Sequence, residues 1–509
     1  MRIKTLLAAL EQPPLRIYGH MALDSVAEVT ALAYDSRAVI AGALFVAVPG
    51  THTDGRRYIQ DAAQRGAVAA LGAPLTGDPT ALPIPYIEVS DVHTALANLA
   101  CAFYAYPAQK LCTIGVTGTD GKTTTSNLIH TLLEHAGRSS GLMTTANFKI
   151  GEQEWDNTTR QSTLEAPEVQ AFLHRLLAAG GTHAVIEATS HGLELRKVHG
   201  CAFDVGVVTN ITHEHLDFHK TLDAYRRAKA RLFEMLDPTR DKGIGSRPVA
   251  VLNRDDSSYN VLRPYCRVPI LDYGIDSPAA VRAVDVQLHA YSTRFRVVLP
   301  DNEGLVETQL IGRFNVSNCL AAIAAVYSQG VTLEEIAHGL ATIKGVTGRM
   351  ERIDEGQPFT VIVDYAHTPD SLEKVLNIVR PLTAGKVIAV FGSAGERDIQ
   401  KRPLMGRIAA QKADFFVITD EDPREEDREA ILREIAAGAL AVGKQQGSDF
   451  FCIADRAQAI AAAFAHAQAG DTVLLAGKGH EQSIIIGREK LPWDDRQEAR
   501  RQLRTMQWA

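Results

Sequence analysis

The chain has 509 residues, 46% of them hydrophobic and 22% charged, and a net charge of -7. That length suggests about three domains of ~150 residues, each able to bury its own core. The acidic balance excludes the basic excess of a nucleic-acid binder, but not a binder of small anions, which local Arg, Lys and backbone N–H groups can hold.

At the N-terminus, the apolar run Leu6–Leu10 stops at Glu11 and Pro13 and is too short for a signal peptide. No later stretch reaches the ~18 uncharged apolar residues of a membrane helix. Cys101, Cys112, Cys201, Cys266, Cys319 and Cys452 are scattered without a Cys-x-x-Cys pair, the pattern of reduced thiols in a cytoplasmic protein. A cytoplasmic location is therefore expected, with neither nucleic acid nor membrane as a partner. From about residue 108 short apolar runs alternate with helical stretches. Strands are predicted at 112–116, 184–187, 205–209, 249–253, 360–364, 387–391, 415–419 and 472–475. This βαβ rhythm predicts an α/β fold with mostly parallel sheets, whose ligands bind at the carboxyl ends of the strands. Boundaries are expected near 106–109, where Pro107 helps break the preceding helix, and near 345–348, after a helix over 316–329 and before the strand at Thr360.

The run from Ile114 to Thr125 joins the first of these strands to a helix and reads Gly118-Thr119-Asp120-Gly121-Lys122-Thr123-Thr124 at its turn. Its glycines let backbone N–H groups turn toward phosphate oxygens. Lys122 supplies a point charge, Thr123 a hydroxyl for Mg²⁺, and the following helix its positive end. Val116 stands where the full Walker pattern has Gly. Further on come Glu187-Ala-Thr-Ser-His191 and the segment 209–219, with His213, His215, Asp217 and His219. Asp217 occupies the place of the second His in a His-Glu-x-x-His zinc motif, so Glu187, His215 and Asp217 beside a phosphate loop fit Mg²⁺ better than zinc. Lys229 lies on a basic stretch, Tyr225 to Phe233, and pattern alone reads it as part of a solvated face. Four later strand ends carry Asp364-Tyr-Ala-His-Thr-Pro369, Gly392-Ser-Ala-Gly-Glu-Arg397, Asp420-Glu-Asp-Pro-Arg424 and Gly477-Lys-Gly-His-Glu481. Together they suggest a site for a zwitterionic substrate, with Arg for a carboxylate and acids for an ammonium.

These motifs, with Tyr34-Asp-Ser-Arg37, 42–47, Asp54-Gly55, Gly312-Arg-Phe-Asn-Val-Ser-Asn318 and Gly348-Arg-Met350, resemble those of the Mur ligases of bacterial cell-wall synthesis. The likeness is strongest to the branch that adds the third peptide residue. The resemblance implies three α/β domains: a UDP-sugar-binding domain over 1–107, a P-loop ATPase domain with a mostly parallel sheet over 108–345, and a Rossmann-like amino-acid-binding domain over 346–509. It implies ATP and Mg²⁺, with Lys122, Lys229, His215 and Glu187 catalytic. Thr123, Glu187, His215 and a carbamate on Lys229 would hold the metal. ATP would meet Gly118, Thr119, Asp120, Gly121, Lys122, Thr123, Thr124, Asn315, Arg349 and Asp364. The UDP-sugar peptide would meet Ser36, Ser162, Thr163, Thr189 and Lys197, and the incoming amino acid Arg397, Asp422, Arg424, Gly477 and Glu481.

The implied reaction, carried out by a monomer, phosphorylates the D-Glu side-chain carboxylate of UDP-MurNAc-L-Ala-D-Glu. The acyl phosphate is then attacked by the amine of a diamino acid. The family's diaminopimelate enzymes usually read Asp-Asn-Pro-Arg where this chain has Glu421-Asp-Pro-Arg424. Asp422 would attract a bare ammonium and repel a second carboxylate, which favours L-lysine or L-ornithine over meso-diaminopimelate. Arg424 pulls the other way. Other departures are Asp120 for Asn, Glu214 for Asp, Gln161-Ser162 for Asn-Thr and Lys197 for Arg. A folylpolyglutamate-type ligase shares the fold but lacks the N-terminal region, and a P-loop kinase or hydrolase would not need the four C-terminal motifs.

Overall fold

The computed structural model describes residues 1–19, 28–50, 53–75, 81–157, 159, 161–212, 216–289 and 292–506. The chain forms two compact units: 1–284 with 297–304 and 317–339, and 285–296 with 305–316 and 340–509.

The first unit holds two sheets. In the N-terminal one, β1 (Arg16–Tyr18), β2 (Ala31–Ala33), β3 (Ala43–Ala47), β4 (Ala69–Gly72) and β5 (Tyr86–Glu88) lie in the order β1-β5-β4-β3-β2. All pairings are parallel except β1 with β5. The second sheet contains β6 (Cys112–Thr117), β7 (Ser140–Met143), β8 (Asn147–Ile150), β9 (Gln153–Asp156), β10 (His183–Glu187), β11 (Val205–Val208), β12 (Val249–Asn253), β13 (Ile270–Gly274) and β14 (Val281–Leu288). Their order is β14-β13-β12-β11-β6-β10-β7-β8-β9, parallel from β14 to β7, with β8 and β9 antiparallel. The end of β14 and the strands β15 (Thr293–Val298) and β16 (Glu303–Thr308) are divided between the units.

β6 sits centrally, flanked by β10 and β11. All three are unbroken buried runs apart from the half-buried His183, as expected of parallel strands covered on both faces. The sequence reading placed these strands within a residue of their ends. It missed the N-terminal sheet, whose strands are three to five residues long. Pro107 does not break the preceding helix: that helix, Val92–Phe103, has already ended, and the turn is made by Ala105 and Tyr106 at positive φ.

The second unit holds β17 (Glu351–Ile353), β18 (Thr360–Asp364), β19 (Val387–Phe391), β20 (Phe415–Ile418), β21 (Phe450–Cys452) and β22 (Thr472–Ala476), in the order β17-β18-β22-β19-β20-β21. Only β17 is antiparallel to its neighbour. A separate hairpin follows, β23 (Ser483–Ile486) with β24 (Glu489–Pro492). Among the described residues no helix is long and apolar enough to cross a membrane.

One buried ion pair anchors the base of β6. Lys242 Nζ, fully enclosed, lies 2.6 Å from Asp204 Oδ2 and also donates to Leu111 O at 2.8 Å. The same carboxylate accepts from Thr113 N and Ser246 Oγ, each at 2.8 Å. Removing one partner of such a pair leaves the other charge buried and uncompensated. Lys242→Met is therefore expected to destabilise the fold by about 3–5 kcal/mol, read as a lower urea midpoint.

Candidate active site

The loop after β6 is held open by two glycines in conformations that L side chains rarely adopt. Gly118 has φ 147° and Gly121 φ 81°. A Cβ on Gly118 would meet Thr209 Oγ1 at 1.8 Å, and one on Gly121 would meet Asn318 Oδ1 at 2.3 Å. The helix Lys122–His135 starts at once, with Gly121 at its N-cap, so its first N–H groups and its positive end point into the loop. The loop's carbonyls are satisfied by side chains. Gly118 O accepts from Lys229 Nζ at 2.5 Å, Thr119 O from Lys122 Nζ at 2.7 Å, and Asp120 O from Thr209 Oγ1 at 2.6 Å and Asn210 Nδ2 at 3.1 Å. The N–H groups of Thr119 and Asp120 are tied back to Asn210, at the exit of β11.

Glu187 ends β10 beside this loop and is 2% exposed. Its carboxylate accepts from Thr123 Oγ1 at 2.9 Å, Thr145 Oγ1 at 2.9 Å and Thr145 N at 3.1 Å. Thr124 is buried on the helix's first turn. Lys229 is 1% exposed, which overturns the reading of a solvated face. Its Nζ also lies 4.5 Å from the ring centre of Tyr225, whose hydroxyl meets Thr119 Oγ1 at 3.1 Å. The structure thus brings Lys122, Thr123, Glu187 and Lys229 to one loop. His215 lies outside the described residues. Nearby, the rings of His191 and Phe218 stand 4.1 Å apart.

The residues expected to touch the sugar peptide separate into two places. Thr163 Oγ1 reaches Glu187 O at 3.1 Å and Thr189 Oγ1 at 2.9 Å. Lys197 pairs with Glu165 at 2.7 Å and donates to Gln161 at 2.9 Å. Ser162, half-buried, immediately precedes Thr163. Ser36 is buried in the N-terminal sheet's domain, in the short turn Ser36–Ala38. Tyr34 of the same segment donates to Glu168 at 2.5 Å.

In the second unit the four strand exits meet. A Cβ on Gly348 would stand 2.1 Å from His480 N, one on Gly392 2.2 Å from Thr419 O, and one on Gly395 2.0 Å from Pro423 O. Such approaches weld the loops together. Asp364 accepts from Met350 N at 2.8 Å and Ala366 N at 2.9 Å, and burial raises its pKa against the pull of Arg349. The Arg349 guanidinium lies 4.7 Å from the ring centre of Tyr365. Asn315 Nδ2 donates to Ile311 O at 2.9 Å. Burial pushes His480 down to about 3, so its ring is neutral.

Asp422 Oδ1 accepts from Lys478 Nζ at 2.9 Å and Ile485 N at 2.9 Å, while the fully buried Lys478 also binds Glu481 at 2.5 Å. The charge assigned to Asp422 from sequence is therefore answered inside the protein. Glu421, beside Gly477, keeps a buried Oε2 without a hydrogen-bond partner among the described residues, and burial raises its pKa. Arg424 has φ 55°, a buried Nε without a partner among the described residues, and an Nη1 3.7 Å from Glu396. Arg397, next in the chain to Glu396, is exposed.

Sequence reasoning missed Thr145, Tyr225, Lys478 and Arg456. A signal existed for burying Lys229: Tyr225, Ala228, Lys229, Leu232 and Phe233 recur at helical spacing and form the buried stripe of the helix Leu222–Glu234. No local pattern marks Arg456, which is buried against Asp495 at 2.6 Å. It donates to Asp420 O at 3.0 Å and Ala476 O at 2.9 Å, the carbonyls just before Glu421 and Gly477.

Comparison with known proteins matches residues 28–104 to the Mur ligase family catalytic domain, 116–326 to the Mur ligase middle domain and 348–479 to the Mur ligase glutamate ligase domain. A UDP-N-acetylmuramyl-tripeptide synthetase of Roseiflexus sp. (strain RS-1) is 53% identical over 94% of each chain. A UDP-N-acetylmuramoyl-L-alanyl-D-glutamate--2,6-diaminopimelate ligase of Geobacillus kaustophilus (strain HTA426) is 42% identical over 93% of this chain and 94% of its own. A solved structure of a ligase of the latter name is 32% identical, with TM-score 0.64 over 93% and 94% of the two chains.

Because a side chain at Gly118 must displace Thr209, Gly118→Ala is expected to misplace the loop. A shift of about 1 Å costs on the order of a hundredfold in rate, read as ATP-dependent phosphate release.

Proposed function

As a member of the Mur ligase family, the chain is an ATP-dependent ligase of peptidoglycan synthesis that adds an amino acid to a UDP-MurNAc peptide, and we propose that it adds L-lysine or L-ornithine to UDP-MurNAc-L-Ala-D-Glu. The acceptor is the side-chain carboxylate of D-Glu. The observation that carries the choice of amino acid is Glu421 Oε2, buried and unpartnered among the described residues at the exit of β20. Glu421, Asp422 and Glu481 bring three carboxylates together, and Lys478 supplies one ammonium between the last two. Lys401 and Arg456 also draw on Glu421, so what is left for a ligand ammonium is its open oxygen and not a net excess of charge. Arg424 is already turned toward Glu396.

The chemistry follows from the loop. Carboxylate and amine do not condense without a leaving group, so the γ-phosphoryl group of ATP passes to the D-Glu oxygen, giving an acyl phosphate and ADP. The amine attacks the carbonyl carbon, loses its proton, and inorganic phosphate departs. Lys122 Nζ, resting on Thr119 O of the loop, would offset the charge of the terminal phosphate. Thr123 and Glu187, 2.9 Å apart and both oxygen donors, suit Mg²⁺, with His215 the further ligand implied by the family. Bound there, Mg²⁺ would neutralise phosphate charge. Lys229 is the carbamate site in this reading. A CO₂ adduct on Nζ keeps one N–H for Gly118 O and adds two oxygens on a buried side chain. Asn315, Arg349 and Asp364 serve the nucleotide, and Ser36, Ser162, Thr163, Thr189 and Lys197 the UDP-sugar peptide. Domains divided at 107 and 345, a monomer and a cytoplasmic site of action complete the reading.

A second reading, addition of meso-diaminopimelate, is favoured by Arg424 Nε, which has no partner among the described residues and suits a second carboxylate, and by the diaminopimelate ligases among the relatives. Phosphate release with UDP-MurNAc-L-Ala-D-Glu and each diamino acid decides between them. L-lysine or L-ornithine is expected to exceed meso-diaminopimelate in kcat/KM by on the order of a hundredfold, since a carboxylate set against carboxylates costs several kcal/mol. Turnover with meso-diaminopimelate alone would refute the choice. Lys229→Ala is expected to abolish ligation while UDP-dipeptide affinity, measured calorimetrically, stays unchanged; undiminished ligation removes Lys229 from the mechanism.

A further inference from the structure

The hairpin β23–β24 lies beyond the residues matched to the glutamate ligase domain, 348–479. It is built so that one edge is left for another segment. Ile486 pairs with Glu489 next to the turn at Gly487, and Ile485 pairs with Lys490. In an antiparallel pair the hydrogen-bonded and non-hydrogen-bonded positions alternate, so backbone groups at alternate residues face outward. Those of Ile485 do. Its N–H donates to Asp422 Oδ1 at 2.9 Å, and its carbonyl accepts from Arg424 N at 3.0 Å. Gly487 N donates to Arg424 O at 2.7 Å, and Arg488 Nε to Glu425 at 2.7 Å.

The Glu421–Arg424 run is thus stitched to the hairpin on both sides of Pro423. Arg424 is gripped by N–H and carbonyl together while its backbone sits in the left-handed region. That conformation is disfavoured for a residue with a long side chain, and it persists because surrounding bonds over-determine it. It decides where the guanidinium points. The Ile485 N–H likewise shares Asp422 Oδ1 with Lys478, fixing which carboxylate oxygen is consumed and which faces away.

We propose that the hairpin Ser483–Pro492 is a specificity-determining element of the amino-acid site, holding Asp422 and Arg424 in the orientation that selects the far end of the incoming diamino acid. Ile485, Gly487 and Arg488 are positioning residues that act through the loop. The proposal rests on reading residues 421–424 as the amino-acid site, so Arg424→Ala is measured alongside.

Ile485→Pro removes the N–H that meets Asp422, which is not a donor of the hairpin's own ladder, and Ile485→Val keeps it. With the full-length enzyme, ATP, UDP-MurNAc-L-Ala-D-Glu and a panel of L-lysine, L-ornithine and meso-diaminopimelate, Ile485→Pro is expected to raise the KM for the preferred amino acid on the order of tenfold, from the loss of a bond to a charged acceptor. The kcat/KM ratio between amino acids should narrow. KM for ATP and for the UDP-dipeptide should stay within about twofold, as for independent sites, and Ile485→Val should match the parent. Should Ile485→Pro fail to fold, Arg488→Glu on the exposed turn sets like charges at Glu425 and should shift the same KM alone. If Arg424→Ala raises the amino-acid KM while a folded hairpin variant leaves KM and selectivity unchanged, the hairpin proposal is overturned. If Arg424→Ala also leaves that KM unchanged, the site reading falls and the hairpin proposal with it.

Discussion

A phosphate-binding loop must turn N–H groups toward its ligand, and its carbonyls then need donors from elsewhere in the protein. In this chain that need organises the centre of the first unit. Gly118 O is met by Lys229, Thr119 O by Lys122, and Asp120 O by Thr209 and Asn210. Each donor fixes something larger. Lys229 must be buried, so the helix Leu222–Glu234 packs its apolar stripe against the sheet. Thr209 and Asn210 must stand beside the loop, so β11 must neighbour β6. Glu187 then arrives from the other side because β10 pairs with β6 in parallel, Glu187 level with Val116. Both neighbouring exits are consequences of strand order.

What could be read in the sequence follows from how local each feature is. The loop 118–123 is a contiguous run whose chemistry needs neighbouring residues, and the unbroken apolar strands around it are equally local. Thr145 carries no such mark, because it matters only through two bonds to a carboxylate 42 residues on. Lys229 lies between these cases. Its burial was written in the helical spacing of Tyr225, Leu232 and Phe233, but the charges of Arg226, Arg227 and Arg231 masked it. Those arginines occupy the other faces of the helix, as in Arg231 paired with Glu194 at 3.0 Å and Arg227 with Glu234 at 2.8 Å.

The second unit shows a different limit. Its four polar motifs follow one another in the chain, but β22, the last strand of the sheet in sequence, is inserted between β18 and β19. The exits therefore line up in the order 364, 477, 392 and 420, and Lys478 reaches from the second to Asp422 on the fourth. No periodicity in sequence reports that insertion; it is set by which strands can pair in parallel through right-handed crossovers. Counting charges along the motif assigned Asp422 the role of repelling a carboxylate. Pairing in space gives that charge to Lys478 and leaves Glu421 with an oxygen that has no hydrogen-bond partner among the described residues.

Lysines rest on the protein's own acceptors in both units. Lys122 sits on Thr119 O, Lys229 on Gly118 O, and Lys478 between Asp422 and Glu481. A buried ammonium without an acceptor would be costly, so each site is stable before substrate arrives. The consequences differ with the acceptor. A carbonyl is a weak partner for an ammonium, and a phosphate oxygen outcompetes it, so in the proposed mechanism Lys122 leaves Thr119 O for nucleotide with little penalty. Two carboxylates are strong partners, so Lys478 stays where it is and acts as fixed charge. Under the proposed assignment, selection of the amino acid falls to the groups that have no partner among the described residues, Glu421 Oε2 and Arg424 Nε. One attracts an ammonium and the other a carboxylate, and their relative reach is governed by the loop conformation that carries them both.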